Sequence, residues 1–103
     1  TVGARTGGTT TFDGLIDDLR GWSRALSSTE ISDLKNTPCS FSDGASLQGK
    51  WLFDDGTGTS ANDETANNND LTASGSPAWS TTLAYTCAGA AAVTRPTLLL
   101  MGV

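Results

Sequence analysis

The sequence predicts a mainly β chain with one short helix, on three observations. Gly, Ser, Thr, Asn and Asp dominate while Lys and Glu are scarce, a composition typical of turn-rich β proteins. A β-favouring run, Thr9 to Thr11, precedes a stretch holding Gly14 and Gly21, each of which would cost a helix interior about 1 kcal/mol. From Ser27 the helix signals agree: "SSTE" is a capping box with Ser27 at the N-cap and Glu30 three residues on. Ile31 and Leu34 then share one face, so a helix is expected over about 27 to 36, ending before Pro38.

Upstream of that helix the local signals conflict. Leu15, Ile16, Leu19 and Trp22 have helical spacing, against the two glycines and the Thr run, so periodicity alone leaves strand and helix open. At the far end, Leu98 to Met101 form a short unbroken apolar run, far below the roughly 20 residues that span a bilayer. A buried strand is the expectation there, with a truncated membrane or sorting segment as the alternative.

Composition bounds the function. The chain has 103 residues, 37% of them apolar and many of those Ala, so one domain at most is expected, with a thin core. Eleven acidic residues against six basic ones give a net charge of −5, which cannot neutralise a row of phosphates and disfavours nucleic acid and anionic membranes as partners. The absence of His removes Ser-His-Asp, Cys-His and zinc-type chemistry within the chain, leaving carboxylates for any catalysis. Cys39 and Cys87 lie in unrelated contexts without a CxxC spacing, which favours a disulfide over a metal or redox site. The opening "TVGARTGG" has neither Met nor an apolar leader, and an interior piece of a longer protein is expected.

The segment "TVGARTGGTTTFDGLIDDLRGWSRALSSTEISDLKN" resembles the closing segment of the laminin-G-like, concanavalin A-like jelly-roll domains of bacterial extracellular proteins. The resemblance rests on Gly3-Ala4, then Phe12, Gly14, Ile16, Asp17 and Asp18, then Trp22, then Arg24, Ala25, Leu26 and Ser27. It implies a strand over 12 to 23 before the helix. Gly21 departs from the family, which usually has an apolar β-branched residue there, and a bulge or looser strand end is the implied cost.

A second stretch, "LQGKWLFDDGTGTSANDETANNNDLTASGSPAWS", resembles the opening segment of the same family through Trp51, Phe53, Asp54, Gly56, Gly58, Asp63, Asn67 and Trp79. An ending therefore precedes a beginning. The expected organisation is closing strands and helix at 1–37, a linker or seam at 38–46, an opening strand and Asp/Asn-rich loop at 47–87, and an unassigned tail at 88–103. Either the chain spans the tail of one repeat and the head of the next, or it is one permuted unit. A jelly roll of about a dozen strands needs on the order of 130 residues, which favours the first. In the family the first and last strands lie close together in one sheet, so the resemblance implies that either arrangement could pair Ile16 to Trp22 with Lys50 to Phe53.

Few residues suggest chemistry. Asp17 and Asp18, as strand neighbours, would point to opposite faces and could not share a proton, so a structural role is expected, with one carboxylate accepting bonds from backbone or Arg24. The paired acids of related glycan hydrolases have no counterpart here. The oxygen-rich 54–70 loop suits calcium, with Asp54, Asp55, Asp63 and Asp70 as candidate ligands, although Asx turns alone explain such a cluster. Trp22 and Trp79 are candidates for stacking on a sugar ring, whereas Trp51 alternates with Phe53 and is expected to point inward. A bond between Cys39 and Cys87 would close a loop of roughly 49 residues and remove about 4 kcal/mol of unfolded-state freedom; two separate thiols are the alternative.

These readings converge on a non-catalytic, secreted or cell-surface binding or adhesion module. It would recognise glycan or extracellular protein ligands through loops and sit beside other domains of a longer chain. A structural spacer in a surface fibre or multidomain adhesin is the alternative.

Overall fold

The computed structural model describes residues 2, 3, 12–75, 78–82, 85 and 97–100. Ala4, Thr9 to Thr11, Cys87 and most of the 88–103 tail lie outside them. The described chain is mostly strand with a single short helix: β1 (Gly14–Ile16), β2 (Leu19–Trp22), α1 (Ser28–Asn36), β3 (Leu47–Trp51), β4 (Ser60–Ala61), β5 (Leu71–Thr72), β6 (Ala78–Ser80) and β7 (Thr97–Leu100).

The helix follows its sequence signals closely. Ser27 Oγ accepts from the Glu30 amide at 3.2 Å and the Glu30 carboxylate accepts from the Ser27 amide at 2.7 Å, completing the capping box. Arg24 adds a two-pronged ion pair to Glu30, with Nη1 at 2.9 Å from Oε2. That bond first, and then the Ser27 amide, hold the Glu30 carboxyl at about 2. Arg24 is thereby committed to Glu30, and Asp18 takes its bonds from Arg20 and Tyr85 instead. At the other end the Thr37 amide and hydroxyl both donate to the Asp33 carbonyl, and Pro38 follows.

The strand expected over 12 to 23 is broken in two. Asp18 adopts φ 49, a left-handed conformation that Asp tolerates better than most residues and that regular strand geometry excludes. The chain therefore turns at Asp17-Asp18 and changes sheet. On one side β1 pairs antiparallel with β7, aligning Gly14 with Leu100 and Ile16 with Leu98. On the other, β2 pairs antiparallel with β3, aligning Leu19 with Trp51, Arg20 with Lys50 and Gly21 with Gly49. The register slips between Gly21 and Trp22, where the missing β-branched residue implied a bulge. β7 also pairs with β6 and so forms the centre of a three-stranded sheet in the order β1, β7, β6. This places the expected C-terminal strand and assigns part of the tail left open by the sequence. Among the described residues no helix is long and apolar enough to cross a membrane.

β3 ends two residues earlier than its alternation suggests, because Phe53 takes φ 55. That turn drives Phe53 into the interior, where it is 1% exposed, beside a core that otherwise includes Ala61 at 4%. Trp51 remains only half-buried. Its indole lies across the backbone of Gly49, since side chains at i and i+2 share a face of a strand. A Cβ on Gly49 would sit 2.3 Å from the Trp51 ring, whereas a Cβ on Gly21 directly opposite would meet nothing within 4 Å. Gly49→Ala is accordingly expected to destabilise by about 1–3 kcal/mol. Gly21→Ala should instead stabilise by roughly 0.5–1 kcal/mol, because a strand glycine loses more freedom on folding. Urea denaturation of the two variants checks the opposite signs; equal effects would show that the Trp51 ring moves away freely.

A candidate cleft and the charged cluster behind it

Alignment of Arg20 with Lys50 places two cations opposite each other on paired strands, which is unfavourable unless an anion lies between them. Asp43, from the connection between α1 and β3, fills that position. Its Oδ1 accepts from Arg20 Nη1 at 2.6 Å and its Oδ2 from Lys50 Nζ at 2.9 Å. Arg20 also grips Asp18 with two parallel bonds of 2.7 Å, the fork geometry that gives guanidinium its advantage over ammonium. Arg20 Nη2 further donates to the Pro38 carbonyl at 3.2 Å, and the Tyr85 hydroxyl donates to Asp18 Oδ2.

The Arg20 and Asp18 side chains are only 3% and 8% exposed. Burial pushes the Asp18 carboxyl up, but the bonds from Arg20 and Tyr85, with the charges of Arg20 and Lys50, outweigh it and hold the group below its ordinary value. Burial likewise pulls the Arg20 guanidinium down, and the bonds to Asp18 and Asp43 more than reverse that. Both partners therefore stay charged. The arrangement is a saturated ion-pair network, suited to fixing a corner of the fold rather than to moving protons.

In front of this cluster lies a cleft of about 370 Å³ whose walls include Leu19, Trp22, Leu34, Lys35, Pro38 and Tyr85. Its size falls in the range of small-ligand sites, and the walls are largely apolar and aromatic. Of the two tryptophans proposed to contact ligand, Trp22 is on the wall. Its Nε1 donates to the Asp43 carbonyl at 2.9 Å and its ring meets Phe41 edge to face, with centroids 6.3 Å apart. Trp79 is not part of this wall; its Nε1 donates to the Gly58 carbonyl at 3.1 Å.

The Asp/Asn-rich loop has a different use of its oxygens. Residues 62–70 connect β4 to β5 and fold back along the open edge of β3, supplying the bonds that a neighbouring strand would make. Asp63 Oδ1 accepts from the Lys50 amide at 3.0 Å and the Thr65 amide at 2.9 Å, and its Oδ2 accepts from the Thr65 hydroxyl and the Asn69 amide at 2.9 Å each. The Lys50 carbonyl takes the Glu64 amide at 2.8 Å, and Asn67 Nδ2 caps the Gln48 carbonyl at 2.9 Å. Trp51 Nε1 closes the group on the Asn69 carbonyl. Asp70 Oδ1 accepts the Asp63 amide at 2.8 Å, and Asp55 binds the Asn62 side chain. Asp54 is exposed.

Calcium needs several oxygens converging with their lone pairs free. Here both Asp63 oxygens face N–H and O–H donors, so that carboxylate spends its lone pairs inside the loop as arranged. Among the described residues no group of three His, Cys, Asp or Glu side chains gathers.

This cage makes a pH-dependent contribution to stability. Burial pushes the Asp63 carboxyl up, while the Lys50, Asn69 and Thr65 amides and the Thr65 hydroxyl outweigh it and hold the group at about 2. A depressed carboxyl stabilises the fold above the ordinary carboxylate value and loses that contribution as pH falls through its folded value. The midpoint of urea unfolding should accordingly fall between about pH 4 and pH 2. Glu30 titrates over the same range, so Asp63→Asn isolates the share of the loop. That variant should begin with a lower midpoint and show a shallower acid decline; an unchanged slope would mean that the cage is not what titrates.

Cys39 is held in a disulfide, whereas Cys87 lies outside the described residues. The functional-site candidates that the sequence did not single out are Arg20, Asp43, Lys50 and Tyr85. A local signal existed for one pair, since Asp18 and Arg20 stand two residues apart in a strand-like stretch; Asp43 and Tyr85 arrive from distant segments with no local mark. No protein-family model matches the chain, and neither the curated proteins nor the solved structures contain a match to it.

Proposed function

We propose that this chain is a laminin-G-like segment, part of a concanavalin A-like jelly roll, that serves as a non-catalytic binding or adhesion module of a secreted or cell-surface protein. The observation that carries the reading is the antiparallel pairing of β2 with β3. It joins the stretch that resembles the family's ending to the stretch that resembles its opening, as adjacent first and last strands of one sheet would be joined. A disulfide at Cys39 supports an oxidising compartment. The ligand, a glycan or an extracellular protein, would enter the cleft beside Trp22, whose ring supplies an apolar face, with Lys35 at hand for polar contact.

A second reading, a structural spacer, is favoured by a specific observation. All three indole N–H groups are spent on backbone carbonyls: Trp22 on Asp43, Trp51 on Asn69 and Trp79 on Gly58. Sugar-binding tryptophans commonly offer that donor to the ligand, whereas these fasten loops. A glycan array and a panel of extracellular matrix proteins, each probed with and without calcium, separate the two. Binding that Trp22→Phe weakens supports the module reading. Failure to bind any glycan or protein supports the spacer, and calcium dependence would restore a ligand role to the 54–70 loop.

A further inference from the structure

The sequence holds three Asp-Gly pairs, Asp13-Gly14, Asp43-Gly44 and Asp55-Gly56, and the fold treats their carboxylates differently. Such pairs are prone to close on themselves, because glycine has no Cβ to hinder attack by its amide nitrogen on the preceding side chain. The attack needs a carboxyl that can take up a proton and rotate toward that nitrogen. Asp43 is held on both oxygens, by Arg20 Nη1 at 2.6 Å and by Lys50 Nζ at 2.9 Å. Asp55 is held by Asn62, whose Nδ2 donates to Oδ1 and whose amide donates to Oδ2 at 3.4 Å. Asp13 is exposed just ahead of β1, and among the described residues no hydrogen bond or ion pair restrains its carboxylate.

We propose that Asp13-Gly14 is a site of self-modification at which the chain converts to isoaspartate, and that the bonds around Asp43 and Asp55 protect the other two pairs. The Gly14 nitrogen bonds to Cγ of Asp13, and its proton leaves with the carboxyl hydroxyl as water, closing a five-membered succinimide. Water then adds to either carbonyl of the ring and breaks one of the two C–N bonds. Cleavage at Cγ restores Asp13. Cleavage at the main-chain carbonyl leaves isoaspartate, with the backbone running through the side chain. One water is lost and one regained, so no oxidant or reductant takes part and the mass is unchanged. The product has one more carbon in the backbone directly before β1, whose first pair aligns Gly14 with Leu100, and the regular spacing of that ladder is broken at its end. The modification does not depend on the proposed ligand, since it uses only the chain and water.

The test ages the intact chain at neutral pH and 37 °C as an incubation temperature of about 310 K, and counts isoaspartate in tryptic peptides by enzymatic carboxyl methylation and mass spectrometry. Arg20, Lys35 and Lys50 place the three Asp-Gly pairs on separate peptides. Isoaspartate is expected to form at Asp13 at least about tenfold faster than at Asp43 or Asp55, since freeing either of those carboxyls first breaks its bonds. In urea, where those bonds are gone, the three rates should converge. Asp13→Glu, whose closure would need a six-membered ring, should remove the modification and leave β1 intact. Gly14→Ala is a poorer control, because a Cβ there would sit 2.9 Å from the Phe12 ring. Absence of isoaspartate at Asp13 in the folded chain overturns the proposal, as does an equal rate at Asp43 or Asp55. If Asp13 leads by the same factor in urea, sequence neighbours and not the fold set the difference, and the protection is overturned.

Discussion

Arg20→Met is expected to destabilise the protein by about 3–5 kcal/mol, because it strips the counter-ion from a carboxylate that stays buried. Asp18 is 8% exposed, and its two bonds from Arg20 are the shortest route by which its charge is compensated. Asp43 suffers less, since Lys50 still holds its second oxygen. The loss should therefore be traceable to Asp18 rather than to the whole cluster. In the double variant Asp18→Asn with Arg20→Met, the uncompensated charge is gone and the left-handed position keeps a residue that tolerates it, so the cost should be smaller than that of Arg20→Met alone. A coupling energy of roughly 0.5–3 kcal/mol between the two sites is expected from the four denaturation curves. The pH dependence gives an independent sign. Asp18 has its carboxyl held below the ordinary value, so the pair stabilises the fold above that value and fades as pH falls. The single variant should lose part of that acid sensitivity. If the double variant is no better than the single one, the pair is held by packing around the arginine stem and not by charge.

The parts of this architecture that were legible in the sequence are those fixed within a few residues. The capping box needs only Ser27 and Glu30, and both bonds form. The register slips beside Gly21, and a glycine inside a strand is a common place for a bulge. The pairing of β2 with β3 carries no local signal: Ile16 to Trp22 was expected beside Lys50 to Phe53, and the observed register joins Leu19 to Trp22 with Leu47 to Trp51. By contrast, the break at Asp18 depends on a single left-handed residue inside a stretch of strand-like composition, and β propensity cannot register that. The Asp/Asn loop shows the same limit. Its composition suits calcium and edge capping equally, and the choice depends on which backbone amides face the oxygens. Asp63 meets amides from residues 50, 65 and 69, and only the folded path brings those together. Arg20 has no mark in the sequence that singles it out as the partner of Asp18. Arg24 is the arginine expected to bond one of the Asp pair, but it is engaged by Glu30 of the capping box.

Phe53→Ala is expected to have the other large effect, about 3–5 kcal/mol, which approaches the whole stability of a small domain. Phe53 is the most deeply buried large side chain among the described residues, in a core that offers few neighbours to collapse into the space it would leave. Its backbone, however, is left-handed at φ 55. For an L residue that conformation costs roughly 1–2 kcal/mol, a cost that the burial of the ring offsets in the wild type. Alanine keeps the strain and loses the ring. Glycine loses the ring but carries no strain there. The usual order of the two substitutions should therefore be reversed, with Phe53→Gly about 1 kcal/mol less damaging than Phe53→Ala. Near-ultraviolet circular dichroism, which reports the fixed tryptophans, combined with urea midpoints, distinguishes the variants. If glycine proves worse than alanine, the left-handed turn at Phe53 is not what ends β3 and carries the ring inward.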